Sequence, residues 1–246
     1  MAVYAMLFIP ASLWAAHPLG VEDTETQGTG HYQFEFTEDY VKDNSIKSSE
    51  IKAVITGGVA EHIDVAMEVP YLFLHPSPET GRHENGLGDV VFKLKHRLFE
   101  TGDKKSLAYL IHADIPTGDD TKGLGTGKLE WGGRLIGSKE WNALEMHLNM
   151  GYDSHGSALK RGDFTLDYAV SFGAAVEYEV VENLELVAEF SGERRKETGE
   201  YTRPLFLLGG VIYEITEAWS VDAGIRAGLN EDAEDYALLA GVAVRF

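Results

Sequence analysis

The sequence predicts a single antiparallel transmembrane β-barrel of about twelve strands, with short periplasmic turns and longer extracellular loops. Three observations predict this all-β fold class. Apolar and polar residues alternate with a period of two in segment after segment. The connections between these segments alternate between short and long. After residue 16, no apolar stretch approaches the roughly 18 residues that a membrane-spanning helix needs.

The clearest strand runs through residues 165–179, where even-numbered residues are apolar and odd-numbered residues are polar or small. Successive side chains of a strand point to opposite faces, whereas no helix would sort them in this way. The same alternation predicts twelve strands, near residues 31–41, 48–60, 62–74, 87–99, 105–116, 129–138, 142–153, 165–179, 184–193, 203–214, 218–229 and 236–246.

The segment at 203–214 differs from the other strands because it is apolar at both odd and even positions. It could be a strand that is buried on both faces. It could also be a barrel strand that packs against an element inside the lumen.

The connections favour a barrel over a soluble β-sandwich. Short turns lie near residues 60–62, 101–103, 139–141, 181–183 and 216–218, and longer loops span 42–47, 75–86, 117–128, 154–163, 194–202 and 230–235. Outer-membrane barrels place their long loops at one end, which a sandwich has no reason to do.

Closure of the sheet is expected, because each unpaired backbone group in lipid costs several kcal/mol. The last strand should therefore pair with the first. Aromatic girdles are expected at both ends of the apolar face. The candidates are Tyr178, Tyr213, Trp219 and Phe246 at the turn end, and Tyr71, Phe73, Trp131, Tyr152 and Tyr236 at the loop end.

The first 16 residues form an apolar run that ends in small residues, which predicts a signal peptide and export. No basic residue precedes the run, and Leu13 stands three positions before a cleavage after Ala15. These two features suggest a start internal to a longer signal, and a buried N-terminal strand is the alternative. We expect residues 17–30 to hang in the periplasm or to fold into the lumen, and residues 31–246 to form the barrel.

Composition excludes several functional classes. The 246 residues include 21 basic and 40 acidic ones, for a formal net charge of −19. Since phosphate backbones are bound by positive charge, no nucleic-acid partner is expected. The absence of cysteine excludes a disulfide framework and a thiolate metal site. No cofactor is expected.

Four stretches carry a family resemblance: Val59–Tyr71, Gly86–Leu98, Asp114–Asp119 and Gly123–Gly127. They resemble hallmark stretches of the outer-membrane protein family of the meta pathway of phenol degradation, over about residues 30–246. The resemblance implies a barrel often labelled a transporter of hydrophobic or aromatic compounds, surrounded by lipid and lipopolysaccharide. Phe246 resembles the assembly signal that the barrel-insertion machinery reads.

The predicted inward faces carry the candidate lumen-lining residues. The acids are Glu35, Asp64, Glu68, Asp89, Asp114, Glu130, Glu145, Asp167, Glu177, Glu185, Glu189 and Asp222. The bases are Lys52, Lys93, Lys95, Arg97, Arg134, Arg226 and Arg245, joined by His112 and His147. An excess of acids in a pore favours cations. These charges could instead pair across strands and close the lumen.

Lys93, Lys95 and Arg97 stand on one strand and form the only strongly positive stripe predicted in the lumen. We therefore expect this stripe to govern access, and its neutralisation to raise cation selectivity.

Other chemistry has weaker support. The glycines at 118–127 fit neither a phosphate-binding nor a calcium-binding loop, and the acids at 231–235 are typical of a solvated loop. The pair Ser154 and His155 lies in a predicted loop without an oxyanion motif. We expect no enzyme activity and no metal site. Two functions remain: a passive channel for small solutes, hydrophobic or aromatic ones among them, and an occluded structural or interaction barrel.

Overall fold

The computed structural model describes residues 17–77, 79–155, 167–197 and 200–246. The predicted signal peptide at 1–16 lies outside these residues. Fourteen strands and one 3-10 helix (Asp120–Lys122) are described. The strands are β1 (Tyr32–Asp43), β2 (Ile46–Ala60), β3 (Ile63–His75), β4 (Glu84–Leu87), β5 (Val90–Glu100), β6 (Lys105–Ile115), β7 (Glu130–Trp141), β8 (Leu144–His155), β9 (Asp167–Val181), β10 (Leu184–Glu197), β11 (Glu200–Thr202), β12 (Leu205–Thr216), β13 (Trp219–Gly228) and β14 (Tyr236–Arg245).

Twelve of these strands form a closed antiparallel ring, which confirms the predicted fold class. The short strands β4 and β11 pair with β3 and β10 outside the ring order. The ring closes between β1 and β14, where Gln33 lies opposite Arg245. Tyr32 and Phe246 complete this seam by exchanging two backbone hydrogen bonds of 2.9 and 3.0 Å. The role of Phe246 as an assembly signal stays a prediction.

One predicted long loop is wrong. Residues 42–47 form a tight turn, because β1 continues to Asp43 and β2 begins at Ile46. Asn44 adopts a positive φ of 51°, which asparagine tolerates better than most residues. The strand ends there are polar on both faces, so their polarity resembled that of a loop.

Strands also extend into three other predicted loops. Strand β4 begins at Glu84, within the predicted loop 75–86. Strand β8 includes Ser154, which is buried. Strand β10 continues to Glu197 and pairs with β11, so that Arg195 lies opposite Thr202.

Between β5 and β6, the predicted turn is present. There, hydrogen bonds from Lys105 and then from Thr101 lower the pKa of Asp103 to about 2.

The outer surface of the ring is apolar. Large side chains such as Phe36, Leu135 and Ile225 point outward and are about half exposed. Tyr178, Trp219 and Phe246 lie outward at the turn end, and Trp131 and Tyr152 lie outward at the loop end. A closed barrel with this exterior is an outer-membrane protein surrounded by lipid. In the described ranges, no helix is long and apolar enough to cross a membrane.

The interior holds an apolar cluster to which residues before β1 contribute. Leu19 and Val21 pack with inward side chains of the wall: Ala175, Val187, Leu208, Ile212 and Leu239. Leu208 and Ile212 belong to β12, the strand that is apolar at both odd and even positions. The second interpretation of that segment is therefore confirmed, since β12 faces lipid on one side and an element inside the lumen on the other.

We predict that Leu135→Arg destabilises the barrel by about 2–4 kcal/mol, the cost of an arginine on the lipid face near the bilayer midplane. Leu135 is 50% exposed and lies near the middle of β7. The control is Ser171→Arg, because Ser171 lines an interior cavity. Urea unfolding in liposomes measures both variants, and equal destabilisation would contradict the assigned faces.

Candidate functional site

Residues 17–27, here called the inner segment, cross the barrel interior before the chain enters β1. The inner segment contacts inward side chains on most sides of the ring. These wall residues are Asp39, Asp64, Lys93, Lys95, Ser106, Arg134, Ser138, Asn149, Glu189 and Asp222. The lumen is therefore not an empty pore.

The wall supplies acceptors for the backbone N–H groups of the inner segment. The carboxylate of Glu189 accepts hydrogen bonds from Gly20 and Val21, at 2.6 and 2.9 Å. The amide of Asn149 accepts from the N–H of Glu22 at 2.8 Å and donates to its carbonyl at 2.7 Å. Such pairing satisfies backbone groups that would otherwise be buried without a partner.

Wall side chains also accept hydrogen bonds from the second half of the inner segment, residues 24–27. Asp64 accepts a hydrogen bond of 2.9 Å from the N–H of Gln27. Thr24 is 1% exposed, and its N–H donates to the hydroxyl of Ser138 at 3.2 Å. The wall therefore binds the inner segment at several levels between its two ends.

Two lysines of β5 form ion pairs with two acids of the inner segment, Glu22 and Asp23. Lys95 lies 3.2 Å from a carboxylate oxygen of Asp23 and 3.8 Å from one of Glu22. Lys93 bridges Glu22, at 3.6 Å, and Glu68 of β3, at 2.5 Å. Arg97 instead pairs with Glu100 at 3.1 Å near the periplasmic rim. The predicted positive stripe is thus divided, because Lys93 and Lys95 form ion pairs with the inner segment, whereas Arg97 forms one with Glu100.

The start of the inner segment also fits closely against the wall. His17 lies between two carboxylates: its Nε2 is 3.1 Å from Asp39, and its Nδ1 contacts Asp222. A side chain at Gly173 would collide with Val21. Glycine at this wall position therefore allows the inner segment to approach the strands.

Two cavities border the inner segment, and a third lies above one of them, toward the long loops. The inner cavity, of about 180 Å³, separates the inner segment from the wall of β1–β5 and is lined by Glu35, Lys52, Thr56, Asp64, Glu68 and Lys93, among others. The mouth cavity, of about 440 Å³, lies toward the long loops and is lined by Glu50, Lys52, Glu68, Asp89, Asp114 and Glu130, among others. The side cavity, of about 330 Å³, lies against β8–β10.

The predicted lumen residues separate into three groups. Glu68, Asp89, Asp114 and Glu130 line the mouth cavity. Asp64, Lys93, Lys95, Arg134, Glu189 and Asp222 contact the inner segment. A third group pairs with other residues of the chain: His147 with Glu177 (3.2 Å), His112 with Asp153 (3.3 Å), Arg226 with Glu234 (2.6 Å) and Arg97 with Glu100 (3.1 Å).

Six predicted residues remain. Glu35 and Lys52 line the inner cavity. Arg245 lies 3.8 Å from a carboxylate oxygen of Glu214, and Glu185 lies opposite Glu179 in the β9–β10 pairing. Glu145 lies opposite Glu177 in the β8–β9 pairing. Asp167 is the first residue of β9, and its side chain lies outside the described part of the structure. Among the described residues, no group of three or more His, Asp or Glu side chains is placed to hold a metal ion.

Two uncharged residues that bind the inner segment, Asn149 and Ser138, were not among the predicted lumen residues. Both have inward parity, but only charged residues were predicted to line the lumen. The one available signal was the apolar inward face of β12, which required an apolar partner inside the barrel.

Residues 19–246 match the family model described as "Putative MetA-pathway of phenol degradation". The chain belongs to this family. The match includes the inner segment from Leu19 onward as well as the whole ring. No curated protein sequence matches the chain.

Solved structures similar to this family member are outer-membrane barrels. An outer membrane channel from Pseudomonas putida F1 has a TM-score of 0.72 at 12% identity, covering 91% of this chain and 98% of that one. The NanC porin has a TM-score of 0.64 at 11% identity, with coverages of 86% and 98%. The KdgM porin has a TM-score of 0.58 at 10% identity, with coverages of 87% and 99%. At these identities, the similarity establishes the fold.

We predict that the double variant Lys93→Gln, Lys95→Gln loosens the inner segment of this family member. Each charge-assisted contact contributes roughly 1.5–3 kcal/mol. Since two contacts are lost, opening should become at least about 100-fold more frequent. The cysteine-free chain allows a direct measurement, namely the rate at which maleimide labels a Thr24→Cys reporter. Lys105→Gln is the control, because Lys105 lies exposed on a periplasmic turn. Equal labelling rates in both backgrounds would show that the two lysines do not hold the segment.

Proposed function

We propose that this protein is a narrow outer-membrane channel, rather than an enzyme, and that it passes small, water-soluble, positively charged solutes. The observation that carries the proposal is a pair of adjacent cavities along the wall of β1–β5. The mouth cavity and the inner cavity share Lys52 and Glu68 as lining residues. The proposed path therefore enters from the long-loop side and passes between the inner segment and this wall.

The charge of the lining supports a preference for cations. The mouth cavity is lined by five carboxylates, from Glu50, Glu68, Asp89, Asp114 and Glu130, against one lysine. The inner cavity is lined by five acids, three lysines and His17. Charges of one sign in a low-dielectric cleft concentrate counter-ions. Cations should accumulate at the mouth before they reach the narrower inner cavity.

The size and chemistry of the lining limit the solute. Pockets for drug-sized ligands enclose about 300–1,000 Å³, whereas the inner cavity encloses about 180 Å³. Among the described lining residues of these two cavities, there is no Phe, Tyr or Trp. The lining therefore supports a small polar solute better than the hydrophobic or aromatic one that the family resemblance implies.

A second candidate function is an occluded barrel without transport. It is favoured by the inner segment, which is bound to the wall at both of its ends, by Asp222 at the start and by Asp64 at the end. Planar-bilayer recordings distinguish the two candidates. A wild-type protein that gives no single-channel steps, together with a Lys93→Gln, Lys95→Gln variant that conducts, would identify the occluded barrel.

We predict that neutralising Glu68 and neutralising Lys52, which both lie at the junction of the two cavities, change the cation selectivity in opposite directions. A unit charge about 4 Å from an ion changes its energy by about 1 kcal/mol even in bulk water, which is roughly a fivefold change in occupancy. Glu68→Gln should therefore reduce cation preference, and Lys52→Gln should increase it. The measurement is the reversal potential under a salt gradient near 0.1 M, where the Debye length is about 10 Å.

Glu182→Gln is the control for this measurement, because Glu182 is exposed on a periplasmic turn outside both cavities. It should leave the reversal potential unchanged. An anion-selective wild type would contradict the proposed path, and so would reversal potentials that stay the same in the Glu68→Gln and Lys52→Gln variants.

A further inference from the structure

Asp89 contacts two other stretches of the family resemblance, Asp114–Asp119 and Gly123–Gly127, whose role the proposed path alone does not explain. It lies between β4 and β5, in the Gly86–Leu98 stretch. Its carboxylate accepts three hydrogen bonds from residues of the loop between β6 and β7. The donors are the N–H of Gly118 at 2.9 Å, the N–H of Thr126 at 2.7 Å and the hydroxyl of Thr126 at 3.1 Å. Residues 117–128 are here called the mouth loop.

Thr117 fastens the start of the mouth loop to the same place. Its hydroxyl donates to the carbonyl of Gly88 at 2.9 Å and accepts from the N–H of Val90 at 3.0 Å. Asp89 and Thr117 therefore hold both ends of the mouth loop against the break between β4 and β5. One carboxylate that bonds to Gly118 and Thr126 fixes two points of the loop that are eight residues apart in sequence.

The mouth loop folds into the barrel, not away from it. Leu124 is 2% exposed, and its backbone lies beside Gly88, near the inward side chains of Pro70 and Leu72. A side chain at Gly86 would press against Leu124. The apolar tip of the loop is thus seated on the inner wall of β3 and β4.

The neighbouring loop supports this position. Ser77, which is 1% exposed, donates a hydrogen bond of 2.8 Å from its hydroxyl to the carbonyl of Lys122. Residues 123–126 then line the mouth cavity together with the acidic wall residues. The mouth loop therefore forms one side of the entrance to the proposed path.

We propose that the mouth loop is the size-limiting constriction of the extracellular entrance and that Asp89 is the positioning residue that holds it inward. This inference rests on the proposed channel function. It gives the glycines of Gly123–Gly127 and the aspartate of Gly86–Leu98 one shared role, which is to position the mouth loop. The entrance admits small cations because backbone and carboxylate oxygens border it, and it excludes larger solutes because Leu124 fixes the loop across the mouth.

The first experiment measures loop release without requiring conductance. Leu124→Cys is introduced into the cysteine-free chain, and labelling by a membrane-impermeant maleimide is followed on folded protein. Combining it with Asp89→Ala should accelerate labelling at least about tenfold, since hydrogen bonds to a charged group are lost. Asp89→Asn, which keeps one acceptor oxygen, should give an intermediate rate. Glu231→Ala, on the exposed loop before β14, should leave the rate unchanged.

The second experiment measures the entrance itself. In planar bilayers, the Asp89→Ala variant should conduct more than wild type and admit larger polyethylene glycols. Heat-modifiable gel migration verifies that each variant is a folded barrel.

The outcomes separate the two proposals. An unchanged labelling rate in Asp89→Ala overturns the role of Asp89. Faster labelling with unchanged conductance and polymer cut-off overturns the constriction. If neither wild type nor Asp89→Ala conducts, the channel proposal and the constriction both fail, while the labelling rate still decides whether Asp89 holds the loop.

Discussion

In the hydrocarbon layer of a membrane, every backbone N–H and C=O group needs a partner within the protein. The pairing of β1 with β14 meets this requirement for the two strands that would otherwise be sheet edges. Closure imposes the rest of the architecture. One face of each strand meets lipid and the other meets the lumen, so the sequence alternates with a period of two. The charged residues of the chain must then face inward or lie in the loops.

The same requirement holds in the interior, where no backbone–backbone hydrogen bond between described residues involves the inner segment. Wall side chains supply partners instead. Glu189 and Asn149 accept hydrogen bonds from the N–H groups of residues 20–22, and Asp64 accepts one from Gln27. Lys93 and Lys95 balance the charges of Glu22 and Asp23. Burying these acids without a counter-charge would be costly. Part of the inward charge of the wall therefore holds the segment. The five carboxylates and one lysine that line the mouth cavity are the basis of the proposed preference for cations.

The ring was predictable from the sequence because lipid and lumen impose opposite chemistry on neighbouring residues. The twelve predicted strands and the outward positions of residues such as Leu135 and Phe172 agree with the structure. The turn at Asn44 was not predictable in the same way, because strand ends beyond the apolar band are polar on both faces. Local polarity cannot distinguish such an end from a loop.

The candidate site was predictable only in part. Inward parity identified Lys93, Lys95 and Glu189, but their partners lie more than seventy residues away in the inner segment. That segment has no periodicity, since its backbone bonds to side chains and not to a neighbouring strand. Only the apolar inward face of β12, with Leu208 and Ile212, indicated that an element fills the lumen.

We propose that ions pass along the wall of β1–β5 and not through the side cavity on the other side of the inner segment. Cysteine modification during single-channel recording distinguishes the two routes. Thr56 lines the inner cavity, and Ser191 lines the side cavity. A positively charged methanethiosulfonate reagent should lower the conductance of Thr56→Cys in discrete steps and leave that of Ser191→Cys unchanged. A reduced conductance of Ser191→Cys, with an unchanged conductance of Thr56→Cys, would contradict a path along the wall of β1–β5.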